Sequence, residues 1–186
     1  MSYILAGVLC CLAYFLQHYF IAPIEQQLFP TSTGVYISLL CLPFGIKTIA
    51  VVVMGAKVWP FLMLGQYVFA SAILKSQEMA ILVSLSGTLA LGIVAVVLNY
   101  ICHRKWWQTV DEKSEECTHN MWRASLLIAF FGSALTVVFH TIFSLPQAAS
   151  ALSIRSMIGG VSGTVSVIIL LLILRRFIFP TIKINY

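Results

Sequence analysis

Three polar side chains stand inside apolar runs and are the residues most able to do chemistry here: Lys47, Gln66 and His140. Lys47 lies within LPFGIKTIAVVVMGAKVWP, Leu42 to Pro60, two residues after a Pro-Phe-Gly step. An ammonium at the centre of a membrane helix costs about 2.5–3.5 kcal/mol, so intramembrane lysines either pair inside the bundle or snorkel to an interface. Gly55 is eight residues further on, about 12 Å along a helix, a distance the lysine stem covers only in part. Gln66 lies seven residues beyond Trp59 on the next, oppositely running segment, which sets it level with Lys47 as a hydrogen-bond partner. His140 sits on a stripe of small residues (Ser125, Ala129, Gly132, Thr136) about one turn from the end of its segment. It reads either as a satisfied interhelical hydrogen bond or as a pH- or ligand-responsive group facing a cavity. Arg155, Glu25 and Glu78 are candidates for the rim of that cavity or for solvated loop charges.

Other chemistry finds little support. The acids are Glu25, Glu78, Asp111, Glu112, Glu115 and Glu116, and none falls in mid-segment, which argues against a carboxylate proton relay. No HExxH and no GxSxG occurs, and the expectation is a protein that is not an enzyme. Cys10, Cys11, Cys41 and Cys102 lie in or beside apolar runs and read as small hydrophobes. Cys102-His103 and Cys117-Thr118-His119 match no standard zinc spacing, so neither metal nor other cofactor is expected.

The elements that must hold these residues are membrane helices. The chain is 60% hydrophobic and 9% charged with mean hydropathy +0.98, against roughly 25% charged in a soluble domain. Six segments are apolar enough: about 3–22, 34–55, 59–75, 79–102, 121–144 and 157–179. They form a single polytopic domain over residues 1–186 in an all-α fold. The second is expected to break at Pro43-Gly45, where a proline removes a backbone donor. The third starts on Trp59-Pro60. Residues 23–33 read as a short polar connection and 103–120 as a long hydrophilic loop. The N-terminal run lacks a basic leader and reads as a permanent helix.

Charge then sets orientation. With the N-terminus inside, inner segments carry Lys57, Arg104, Lys105, Lys113, Arg123, Arg175, Arg176 and Lys183, while outer loops carry Lys75 and Arg155. That asymmetry puts both termini in the cytoplasm. The +5 net charge therefore reflects topology, and no nucleic-acid partner is expected. Trp59, Trp106, Trp107 and Trp122 fall near the inner face, as an interfacial belt would. Gly159 and Gly163 form a GxxxG on the sixth helix, a face for packing within the chain or, as a sharper reading, between chains.

The residues Pro43, Gly45, Ile46, Gly55, Trp59, Pro60 and Gly65 resemble the signature of the MASE-type membrane-associated sensor domains, the first-described type. The basic residue at Lys47 is similar to a stand-alone branch of such proteins. The run I-G-G-V-S-G-T (158–164) resembles that branch's G-D-x-x-G-T, with Gly160 where the acid stands. Full-length members carry more spans and an output domain such as a kinase or diguanylate cyclase. The resemblance implies a sensory or accessory module of a bacterial inner membrane whose effector is another protein. Its partners would be the bilayer, other membrane subunits and a small-molecule ligand. The size and expected topology also suit the substrate-binding subunit of a vitamin-type transporter.

Overall fold

The computed structural model describes residues 2–28, 39–101, 115–143 and 150–178. Those residues form helices and short connections, with no strand among them. We number the helices α1 (Ser2–Leu28), α2 (Leu42–Met54), α3 (Trp59–Ile73), α4 (Gln77–Ile101), α5 (Glu115–Ile142) and α6 (Ser150–Ile178). Among the described residues four stretches are long and apolar enough to cross a membrane: Ser2–Leu28, Gln77–Leu98, Arg123–Ile142 and Ile154–Leu174. Helices α2 and α3 have 13 and 15 residues. At 1.5 Å per residue they reach about 20 and 22 Å, less than the roughly 30 Å of a hydrocarbon core.

Several boundaries differ from the sequence expectation. Helix α1 does not stop before Pro23 but runs on to Leu28. A π turn over Gln17–Ile21 comes just before the proline, and Ala22 N–H donates to the Gln17 carbonyl, five residues back. The wider turn lets the ring enter the helix without ending it. Residues 29–33 of the expected connection lie outside the described residues. Helix α2 is not broken at Pro43-Gly45. It begins at Leu42, with Pro43 in its first turn, where a missing N–H leaves no carbonyl unpaired. Its expected beginning at residues 34–38 lies outside the described residues. Helix α5 starts at Glu115, so the end of the expected hydrophilic loop is helical, and α6 starts at Ser150 rather than 157.

The bundle closes as a ring: α1 packs on α3, α3 on α4, α4 on α5, α5 on α6, α6 on α2 and α2 on α1. Helix α2 also leans inward to touch α4 and α5. It is accordingly the most enclosed element, burying Pro43, Phe44, Gly45, Lys47, Thr48, Ala50, Val51 and Val52. Cys10, Leu62, Leu91 and Ile128 complete the centre. Large apolar side chains also cover the outside, including Ile4, Leu12 and Phe20 on α1 and the run Ile169 to Leu174 on α6. Such a surface suits lipid rather than water.

Glycines set the closest approaches. A Cβ at Gly45 would overlap the Gly163 backbone on α6, and one at Gly163 would overlap the Cys41 backbone. A Cβ at Gly65 would strike the Gly7 carbonyl across the α1–α3 seam. Gly55 has φ 70° and lets α2 turn through Gly55–Val58 into α3. Gly92 leaves the slot in α4 that receives the Trp59 indole, which is half-buried against the core rather than turned outward as a belt residue. Trp106 and Trp107, and the side chain of Trp122, lie outside the described residues.

Candidate functional site

Helix α2 directs Lys47 into the bundle, where it is 1% exposed. Its Nζ donates to Gln66 Oε1 on α3 at 2.9 Å. Gln66 Nε2 donates in turn to the Val83 carbonyl on α4 at 3.1 Å. The second bond fixes the amide: with Nε2 held by a carbonyl, Oε1 must face the lysine. Three helices are thus joined through one buried chain of polar groups. Gly87 makes room for it, since a Cβ there would lie 3.1 Å from Gln66 Nε2 and 3.3 Å from Lys47 Nζ. Aromatic faces complete the setting. Lys47 Nζ is 5.5 Å from the centroid of the Tyr14 ring and 5.6 Å from that of Phe44, within cation–π range.

What Lys47 lacks among the described residues is a counter-charge. Among the described residues it forms no ion pair and the single hydrogen bond to Gln66. An ammonium has three donors. Most of the buried hydroxyls nearby bond carbonyls of their own helices, such as Thr48 to Phe44 and Thr136 to Gly132.

Lys47 and Gln66 line a cavity of about 430 Å³, and His140 lines it too. The three side chains singled out from the sequence therefore border one space. Helix α1 adds Tyr14 and His18, α2 adds Phe44, α3 adds Phe69 and Ile73, and α6 adds Ser156 and Gly160. All of these belong to the half of the bundle that carries the α3–α4 connection. His140 makes no hydrogen bond among the described residues. Its place is in the cavity wall.

Arg155, Glu25 and Glu78 do not line the cavity. Glu25 has a different task. Its Oε2 accepts from Leu39 N–H at 3.0 Å and its Oε1 from Leu40 N–H at 2.9 Å. Gln17 Oε1 accepts from Leu42 N–H at 3.2 Å. The free donors at the start of α2 are thus capped from α1. On the other side, Cys41 N–H donates to the Gly159 carbonyl at 3.0 Å, and Ser162 Oγ donates to the Leu39 carbonyl. Gly159 and Gly163 both face the beginning of α2 within the same chain.

His18, Tyr14, Phe69 and Ser156 also line the cavity and were not among the residues expected there. The signal for His18 was present: Gln17-His18 is a polar pair inside an apolar run, the criterion that picked out Lys47. Tyr14 and Phe69 carry no such mark, and only the fold brings them to Lys47. Among the described residues no three His, Cys, Asp or Glu side chains gather as a metal site. Cys102 and His103, and the side chains of Cys117 and His119, lie outside the described residues.

No family model, curated protein or solved structure matches the chain.

Proposed function

We propose that the chain is a non-enzymatic membrane module that binds a small ligand, with Lys47 as the anchoring group. One observation carries this reading: a fully buried lysine with no counter-charge among the described residues borders a cavity of about 430 Å³. That volume is in the range of small-molecule sites, roughly 300–1,000 Å³. A buried charge held by one amide is costly, and a ligand is a direct way to offset the cost.

In this reading all six helices lie in a bacterial inner membrane, α2 and α3 as short, enclosed spans, with both termini cytoplasmic. The cavity then opens toward the outer half, and the Gly55–Val58 turn faces the cytoplasm beside Lys57. The MASE-type resemblance supports a sensory or accessory role, with other membrane subunits as receivers of the signal. Its residues Gly45, Gly55 and Gly65 sit at close approaches or a positive-φ turn, which fits a packing scaffold for Lys47 rather than a direct role in binding. A second reading is the substrate-binding subunit of a vitamin-type transporter, favoured by a cavity confined to one half of the bundle.

The test is isolation of the full chain from its membranes in mild detergent, followed by identification of bound small molecules and subunits. A small molecule present with the wild type and lost with Lys47→Met supports the ligand-binding reading. Co-isolation of an ATPase favours the transporter reading over the sensor. Retention of the same molecule by Lys47→Met contradicts the anchoring role.

A further inference from the structure

We infer that the ligand class is a monocarboxylate on an apolar body. This rests on the ligand-binding reading above and adds the chemistry of the bound molecule. Charge is the first ground. The cavity wall contains Lys47 and, among the described residues, no Asp or Glu. A cationic ligand would meet an ammonium with nothing to balance it. An anion would supply the counter-charge that Lys47 lacks and accept from the donors that Gln66 leaves free.

The second ground is how little positive charge there is. Phosphates are usually held by several donors at once: arginine forks, a helix N-terminus or a nest of backbone N–H groups. Here Lys47 is the one lysine or arginine in the wall among the described residues, with the imidazoles of His18 and His140 beside it. The one lysine charge on the wall matches one charge on the ligand. The third ground is the remaining wall. Tyr14, Phe44, Phe69 and Ile73 present apolar surface to the body of the ligand. Gln66 is tied to Val83, so it holds Lys47 in place rather than turning toward the ligand.

A carboxylate of this kind comes either from the aqueous phase or from free fatty acid in the bilayer. The experiment uses the full chain in phosphatidylcholine nanodiscs, with empty nanodiscs subtracted. Radiolabelled octanoate is the probe, and unlabelled octanol, octylamine and oleate compete. The expected result is that octanoate binds roughly tenfold to hundredfold more tightly than octanol or octylamine. That preference disappears in Lys47→Met, checked as folded by its helical circular dichroism. Stronger competition by oleate than by unlabelled octanoate assigns the bilayer as source, and the reverse assigns water. Octanol or octylamine binding as tightly as octanoate overturns the carboxylate assignment while leaving a binding cavity. Absence of binding by all four probes overturns both the assignment and the ligand-binding reading.

Discussion

Lys47 and Gln66 separate two effects that are usually confounded, the value of a buried polar contact and the cost of the charge that requires it. Replacing a buried, poorly compensated ion with an apolar side chain of similar volume is neutral or stabilising, by up to about 4 kcal/mol. Lys47→Met should therefore leave the ligand-free protein at least as stable as the wild type, read as the midpoint of thermal unfolding in detergent. Gln66→Leu should do the opposite. It strips the ammonium of its one hydrogen bond, at a cost of about 1.5–3 kcal/mol. In a Lys47→Met background the same change should cost much less, since the charge is gone. A Gln66→Leu penalty of equal size in both backgrounds would mean that the pair is not coupled. These two residues were legible in the sequence because each is polar in an apolar run and helix length fixes their depth. Their pairing follows from that depth and the antiparallel order. The aromatic walls were not legible, because an aromatic in a membrane helix looks the same whether it faces lipid or a cavity.

The start of α2 is where the sequence reading and the structure part most clearly. Pro43 beside Gly45 suggested a kink, yet the two residues do separate work: Pro43 opens the helix and Gly45 lets α6 approach. A proline in a helix start and a proline in a helix break have the same sequence signature. The deciding feature is which neighbour supplies the caps, and that is set by Glu25, 14 and 15 residues from its two amides, and Gln17, 25 residues from its one. Glu25→Ala should free two amides at this junction and cost about 0.5–2 kcal/mol, measured as a fall in thermal stability. No change on Glu25→Ala would mean that water satisfies those amides equally well. Gly45→Ala and Gly65→Ala should be more severe, because each new methyl meets backbone rather than a mobile side chain. Overpacking of this kind typically costs about 1–3 kcal/mol. Unchanged stability of both variants would contradict the close contacts of α2 with α6 and of α1 with α3.

At the scale of the whole molecule, composition was sufficient for the all-helical class, and apolar run length for the position of each helix. Run length failed at the ends, where Pro23 lies inside a helix and Glu115 begins one within the expected hydrophilic loop. Orientation rests on the asymmetry of lysine and arginine. It predicts that an impermeant maleimide added to intact cells labels Ser76→Cys, in the α3–α4 connection, above the background of the native cysteines. Lys57→Cys, in the turn between α2 and α3, should be labelled only after the cells are opened. The reverse pattern would invert the molecule and turn the cavity toward the cytoplasm. The central claim concerns what fills that cavity. Its most direct test is a high-resolution density map of the full chain purified from its own membranes. The account predicts non-protein density within hydrogen-bond distance of Lys47 Nζ, about 3 Å, extending between Phe44 and Phe69. A cavity without such density, or a Lys47 side chain directed to the end of the bundle instead of to Gln66, would contradict it.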